Sequence, residues 1–248
     1  MFWSKGFVIK GIAVIVFAVA AFLVSGCGGP AERIKERAAE TPEPTPTPGE
    51  RDISGSLTVE GTSSGGLGAY HGALTIAPTG DVYSFKWSTT KGSLMGTGVQ
   101  YGTSAAVSTA VTGGGKGCGV VLYKILPGGN LDGRTVRLGE QKFGMEKAER
   151  TEGTTFVGKY SVTGTTADGK PYSGTAEVAK DGDGYDLTWN TGQKLMGFAI
   201  WRGSTAAVTF GGKDCGFALY DISGSGNLDG FWGSQREVTF GKETAKRQ

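Results

Sequence analysis

The side chains that could perform catalytic chemistry are few in this chain of 248 residues. His71 is its single histidine, so a catalytic triad or a metal site built on several histidines is not expected. Asp132 and Asp229 lie in two identical Asn-Leu-Asp-Gly segments and could form a pair of carboxylates, but Asp-Gly between apolar residues is first of all a β-hairpin signal. We therefore expect a protein without enzymatic activity and without a cofactor.

Two other segments have the composition of a ligand site but not its spacing. Asp181, Asp183 and Asp186 could offer carboxylate oxygens to calcium, yet the segment lacks the closing bidentate acid of a calcium loop. It is a weak calcium candidate, and we otherwise expect no metal. The glycine-rich segment 113–117 contains Lys116 but no Ser or Thr after it and no helix pattern, so it is interpreted as a hairpin turn rather than a phosphate loop.

Two cysteines, Cys118 and Cys215, occupy equivalent positions in two similar halves of the chain. Each opens a segment whose alternate residues are apolar on both faces, and a strand of that kind must bury both faces. Such a strand could face its twin across a pseudo-twofold interface. In an oxidising compartment the two thiols could then form a disulfide. Two separate buried thiols, one in each half, are the alternative.

Two tryptophans of the second half, Trp201 and Trp232, have no tryptophan counterpart in the first half, where Tyr101 and Thr135 stand. They are candidates for a binding surface that the first half lacks. The alternative is that both belong to the core, since large aromatic side chains contribute most of their burial there.

The similarity of the two halves is an internal repeat, in which residues 157–245 match residues 54–148. Two copies are too few for a solenoid, which needs at least three units to bury a continuous core, so we expect duplicated globular modules. The matched segments are 83–87 with 185–189, 94–96 with 195–197, 102–107 with 203–208, 130–133 with 227–230, and 143–144 with 240–241.

The copies have the pattern of short β-strands joined by tight turns. Tyr83, Phe85 and Trp87 alternate with polar residues, as expected for half-buried strands, and glycine-rich turn signals recur throughout. We expect an all-β protein of two tandem small up-and-down, lipocalin-like barrels with about eight strands each. A β-sandwich or one shared sheet is the alternative. Inward side chains should fill barrels this small, so binding is expected at loops, outer faces or the cleft between the copies.

The N-terminal segment has the features of an export signal, with Lys5 and Lys10 followed by an apolar stretch that is shorter than a spanning helix needs. Residues 23–27 read Leu-Val-Ser-Gly-Cys and resemble the lipobox of bacterial lipoproteins. The resemblance implies that residues 1–26 are a signal peptide and that Cys27 is lipidated. Because Gly28 rather than Asp follows, it also implies the outer membrane in a Gram-negative cell, and otherwise the plasma membrane.

The remaining sequence divides into a tether and the repeat. Residues 27–53 form a tether rich in Pro, Thr and Glu, in which the prolines favour an extended chain. The first module then covers 54–148, a linker 149–156 and the second module 157–248. Removing the leader removes two of the 25 basic residues and none of the 23 acidic ones. The mature chain is therefore formally neutral, which argues against a nucleic-acid partner.

Segments 158–165, 168–175 and 228–232 resemble a glycine-rich β-repeat found in exported bacterial proteins of unassigned role. This resemblance implies a fold and not a function. The hypothesis that follows is a lipid-anchored cell-envelope protein that acts as a non-catalytic binding or structural module towards an envelope or extracellular protein or a glycan. A small-ligand carrier of the lipocalin type and a periplasmic hydrolase inhibitor are the alternatives.

Overall fold

The computed structural model describes residues 50–63, 68–110, 117–212, 214–234 and 239–248. Within these ranges the chain forms β-strands joined by turns, and all strands belong to one compact unit, Glu43–Gln248. None of the described segments is a helix long and apolar enough to cross a membrane. The strands are β1 (Gly55–Thr62), β2 (Ala69–Thr79), β3 (Val82–Thr89), β4 (Gly92–Tyr101), β5 (Ser104–Ala110), β6 (Gly119–Ile125), β7 (Leu131–Arg137), β8 (Gly144–Thr154), β9 (Val157–Thr165), β10 (Pro171–Asp181), β11 (Gly184–Asn190), β12 (Lys194–Arg202), β13 (Thr205–Phe210), β14 (Cys215–Ile222), β15 (Leu228–Ser234) and β16 (Gly241–Arg247).

The strands close into two antiparallel barrels of eight strands each, which confirms the expected all-β fold. The order around the first barrel is β1-β16-β15-β14-β5-β4-β3-β2, and around the second β10-β11-β12-β13-β6-β7-β8-β9. Closure leaves no strand edge of either sheet exposed. The inward alternation of β3 is also confirmed, because Phe85 and Trp87 lie in the core of the first barrel.

The two barrels exchange strands between the copies of the repeat. In the first barrel β5 pairs with β14, with Ala106 opposite Leu219. In the second barrel β13 pairs with β6, with Ala207 opposite Leu122. Each barrel thus takes five strands from one copy and the last three strands from the other.

The expected correspondence of module 54–148 to one barrel and module 157–248 to the other is therefore wrong. The proposed linker 149–156 is also corrected. It lies in the end of β8 and in the hairpin turn to β9, where Gly153 pairs with Gly158 and Thr155 adopts a φ of 53°. This hairpin joins the two copies within the second barrel.

A third apolar cluster, the interface cluster, lies between the outer faces of the two barrels. Its members come from strands of both barrels, and the ring of Phe198 on β12 meets that of Phe217 on β14 at 6.4 Å. Strands β6 and β14 are buried on both faces, as their sequences predicted. The cluster consists of Val82, Val99, Ala106, Val120, Leu122, Val136, Phe198, Ile200, Ala207, Phe217 and Leu219.

A disulfide joins Cys118 and Cys215 where β6 and β14 begin. The Cα atoms are 5.3 Å apart, so of the two alternatives raised by the sequence the bridge is formed and the pair of separate thiols is not. It links the two central strands of the interface and therefore the two barrels.

Polar contacts between the barrels lie beside the interface cluster at positions related by the repeat. One is a hydrogen bond from a tyrosine to an aspartate, and the other is a pair of arginine–aspartate ion pairs. Tyr101 of the first barrel donates to Asp132 of the second at 2.6 Å. At the register position of Tyr101, the second barrel has Arg202, which contacts Asp221 and Asp229 of the first barrel at 3.2 Å each. Asp132 and Asp229 thus have interface partners and are not paired with each other for catalysis.

Candidate functional site

Among the residues that the structure describes, each barrel buries one glutamate at an inward-facing position. Glu243 lies on β16 and is 3% exposed, and Glu146 lies on β8 and is 4% exposed. On both strands a glycine, the glutamate and an alanine alternate as buried, inward-facing residues with more exposed neighbours that point outward. Because alternate residues of a strand face opposite sides of the sheet, both carboxylates lie inside a barrel.

Each buried carboxylate accepts three hydrogen bonds from aromatic side chains. Oε1 of Glu243 accepts from Trp87 Nε1 at 3.0 Å and from the Tyr220 hydroxyl at 2.6 Å. Oε2 accepts from the Tyr70 hydroxyl at 2.6 Å. Donors of this kind are what a buried carboxylate requires, since an unsatisfied charge in an apolar core is costly. We call Glu243 with these three donors the first cage.

The second barrel repeats the arrangement with residues at the matching positions. Glu146 accepts from Tyr172 at 2.7 Å, from Trp189 Nε1 at 3.1 Å and from the Tyr123 hydroxyl. We call this set the second cage. Because the barrels exchange strands, each cage combines a tyrosine and a tryptophan from one copy with a tyrosine and the glutamate from the other.

Burial also determines how the cages ionise. It raises the pKa of the Glu146 carboxyl, against the three hydrogen bonds, which lower it. Burial and then the glutamate charge raise the pKa of Tyr123 and Tyr220 well above 10, and the pKa of Tyr70 and Tyr172 is raised for the same reasons. The phenols therefore stay protonated and act as donors at neutral pH.

The second barrel is closed beside its cage by an aromatic ring. Phe210 on β13 lies opposite Gly119, where an added Cβ would come within 2.2 Å of the Phe210 ring. The ring meets Trp189 edge-on at 6.2 Å, and the Arg137 guanidinium lies 5.0 Å from its centre. We call Phe210 and Arg137 the plug of the second barrel.

The first barrel has small residues at the positions of the plug. Thr109 on β5, opposite Gly216, stands where the second barrel has Phe210. Ser234, also opposite Gly216, stands where the second barrel has Arg137 opposite Gly119. The loss of the buried aromatic ring leaves space inside the first barrel, and the exposed guanidinium that covers the ring is lost with it.

This space is a cavity of about 580 Å³ beside the first cage. The cavity reaches solvent at Lys91, Gly92 and Ser93, which are exposed. The expectation that inward side chains fill both barrels is therefore wrong for the first barrel. Its walls include Tyr70, Trp87, Leu94, Thr109, Tyr220, Trp232 and Glu243.

The two tryptophans singled out by the sequence lie in different barrels and have different roles. Trp201 packs against Phe156 at 5.9 Å and Tyr185 at 5.8 Å in the second barrel, and its Nε1 donates to the Gly203 carbonyl at 2.8 Å. It is partly buried and packs against the core of the second barrel. The register also places Gln100, not Tyr101, at its counterpart position, since Gln100 lies opposite Ala105 and Trp201 opposite Ala206.

Trp232 instead forms part of the cavity wall. Its ring meets that of Tyr70 edge-on at 6.0 Å. The position held by Thr135 in the second barrel thus carries an aromatic side chain in the first. Trp232 is the one residue of the sequence-based candidate surface that reaches the cavity.

The other candidates from the sequence do not assemble into a site. Asp181, Asp183 and Asp186 lie on or beside the β10–β11 turn, and in the part of the chain that the structure describes no three metal-binding side chains are grouped. His71 is exposed on β2. Cys27 and Lys116 fall outside the described residues.

Sequence reasoning missed the two glutamates, although a signal was present. Glu146 and Glu243 occupy the same place in the two copies, two residues after Gly144 and Gly241. An acid that recurs at an inward position of an alternating strand is a candidate for a buried functional group.

Comparison of the chain with protein-family models, with curated proteins and with solved structures gave no match.

Proposed function

We propose that this protein is a lipid-anchored, non-catalytic cell-envelope protein that binds a small molecule inside its first barrel. The observation that carries the proposal is the cavity of about 580 Å³ beside the first cage. Its volume falls within the range of about 300–1,000 Å³ typical of small-ligand pockets. The same space in the second barrel holds the Phe210 ring, so the opening depends on particular residues and not on the barrel fold.

The cavity walls support binding more than catalysis. They are mostly aromatic and apolar, and the described lining residues include no histidine or cysteine. Glu243 already accepts hydrogen bonds from three donors, which hold it in place rather than prepare it to take a proton from a substrate.

The locations of Trp201 and Trp232 also favour a small-molecule ligand over a protein or glycan partner. Trp201 packs against the core of the second barrel, and Trp232 lines the cavity of the first. Neither forms part of a shared outer surface, which a protein or glycan partner would require.

Filling the cavity should remove binding. We expect Thr109→Phe to place a ring over Gly216, as Phe210 lies over Gly119, and to keep or raise thermal stability because a cavity is filled. The neutral aromatic probe N-phenyl-1-naphthylamine should bind the 49–248 fragment, which contains every strand of both barrels. The variant should bind it at least about tenfold more weakly, because the ring clashes with the ligand.

A matched control is Thr58→Phe, which makes the same change on the exposed outer face of β1. This variant should bind the probe as the unmodified fragment does. Equal binding by the unmodified fragment and Thr109→Phe, or no binding by the unmodified fragment, would refute a ligand site in the first barrel.

We place the protein at a membrane through Cys27, in the outer membrane of a Gram-negative source and otherwise in the plasma membrane. Several acyl chains on one residue would give stable attachment.

In cells, Cys27→Ser should abolish incorporation of labelled palmitate and leave an uncleaved precursor, measured by mass spectrometry. The Cys118→Ser, Cys215→Ser double variant should keep the label. Normal maturation of Cys27→Ser would contradict the lipobox interpretation.

A further inference from the structure

We propose that the ligand of the first barrel is an organic cation, with an apolar body and an amine or quaternary ammonium group. The inference rests on the proposed function and adds the charge of the ligand. It is drawn from the buried Glu243 carboxylate, the aromatic walls and the plug that the first barrel lacks.

Glu243 places a negative charge in the cavity wall. Its three hydrogen-bond partners are two phenols and an indole, all of them neutral. In the described part of the chain, it forms no ion pair with a Lys or Arg. A carboxylate offers about four acceptor positions. The three donors therefore leave capacity on Oε2, which accepts only the Tyr70 hydroxyl.

The remaining walls also favour a positive group. Tyr70, Trp87, Tyr220 and Trp232 surround the cavity beside Glu243. The faces of aromatic rings attract cations, most strongly where water is excluded. An anionic ligand would meet the same rings and the Glu243 charge unfavourably.

Lys91 is the cationic residue of the described lining, and it lies at the mouth. Its side chain is exposed, so solvent and salt screen its charge. Glu243 is 3% exposed, and its field acts in the low-dielectric interior, where screening is weaker. The buried charge therefore outweighs the exposed one for a ligand inside the barrel.

The second barrel shows which groups fill this space when the protein supplies them itself. There the Phe210 ring lies against Trp189, and the Arg137 guanidinium lies over that ring. The plug is thus an apolar ring that packs against the cage tryptophan and is covered by an exposed guanidinium. Thr109 and Ser234 remove both groups from the first barrel. A ligand that replaced them would carry the same two features.

The experiment compares three probes with one body and three charges: 3-phenylpropylamine, 3-phenylpropan-1-ol and 3-phenylpropanoate. Their affinities for the 49–248 fragment are measured at neutral pH by displacement of N-phenyl-1-naphthylamine and by calorimetry. The amine should bind at least about tenfold more tightly than the alcohol, and the acid most weakly.

Glu243→Gln should reduce the affinity for the amine to that for the alcohol. Glu146→Gln is the matched control, because it makes the same change in a cage of the same composition next to the plug. It should leave the preference for the amine intact. Thermal unfolding of both variants shows whether they fold. If Glu243→Gln does not fold, the order of the three probes on the unmodified fragment decides.

The outcomes separate this inference from the proposed function. One result would be an alcohol that binds as tightly as the amine while Thr109→Phe still removes binding of N-phenyl-1-naphthylamine. That result would refute a preference for cations but support a ligand site in the first barrel. Failure of the amine to bind, or tighter binding of the acid, would also overturn the cation. A preference for the amine that persists in folded Glu243→Gln would show that Glu243 is not its source.

Discussion

Neither half of the repeat should fold as a monomer when the chain is divided at the β8–β9 turn into residues 49–154 and 155–248. Mixing the two should give a folded one-to-one complex. The first fragment carries β1 to β5 but lacks β14 to β16, which close the first barrel. Strands β6 to β8 of this fragment likewise lack β9 to β13, which complete the second barrel. Each fragment alone would expose strand edges and both apolar faces of its central strand.

The measurement is circular dichroism and analytical ultracentrifugation of each fragment and of the mixture. Under oxidising conditions the complex should also acquire the Cys118–Cys215 bond, which a non-reducing gel detects as a covalent heterodimer. With both cysteines changed to serine the complex should still assemble, without the covalent link. A half that folds as a monomer would contradict the exchanged topology, because a closed barrel needs strands of both copies.

The barrels could be predicted from the sequence, but the exchange of strands could not. Inward aromatics at alternate positions and glycine turns specify strands and an antiparallel meander. The repeat then gives two barrels. However, β6 and β14 carry the same pattern, with Cys-Gly at the start and Leu-Tyr in the middle. Strand β5 could pair with either on hydrophobic grounds, so local pattern does not decide which barrel each strand closes.

The sequence indicated that a disulfide between Cys118 and Cys215 was possible but did not decide between the bond and two separate thiols. Equivalent positions of Cys118 and Cys215 in strands apolar on both faces indicated a shared interface. The pairing itself depends on a separation of 5.3 Å between Cα atoms, which is a property of how the barrels pack.

The cages and the cavity were harder to find, for different reasons. Tyr70 and Glu243 are in contact although they stand 173 positions apart, and exchange of strands is what brings them together. Each glutamate has a lysine beside it in the sequence, Lys147 or Lys242, so it resembles a solvent-exposed strand residue until the inward-facing positions of the strand are known. The cavity depends on Thr109 and Ser234, which are unremarkable in type and matter only because Phe210 and Arg137 hold the matching positions.

The cages should make the protein unfold steeply in alkali. The pKa of Tyr123 and of Tyr220 is raised well above the ordinary value of 10.0, first by burial and then by the charge of the adjacent glutamate. Between pH 10 and these raised values, the unfolded chain loses phenolic protons that the folded chain retains. The folded state then binds more protons, so the free energy of unfolding falls as pH rises. Below pH 10 the phenols are protonated in both states and contribute no slope.

The size of the effect follows from the number of buried phenols. Each one lowers the free energy of unfolding by about 1.4 kcal/mol per pH unit, so Tyr123 and Tyr220 together account for about 2.7 kcal/mol per pH unit. A domain of ordinary stability holds about 5–15 kcal/mol. Tyr70 and Tyr172, whose pKa values are raised in the same direction, steepen the fall further. Unfolding should therefore occur within a few pH units of 10.

The measurement is a pH titration that follows tyrosinate absorbance and the β-sheet circular dichroism signal on the same samples. Ionisation of the cage tyrosines should coincide with loss of the sheet signal. Denaturant unfolding at several pH values above 10 gives the slope, and Tyr220→Phe should remove about 1.4 kcal/mol per pH unit from it. This variant loses one of three donors to Glu243, so its stability at neutral pH is measured as the reference. Ionisation of all tyrosines near pH 10 with the sheet signal intact would show that the phenols are not held by buried carboxylates.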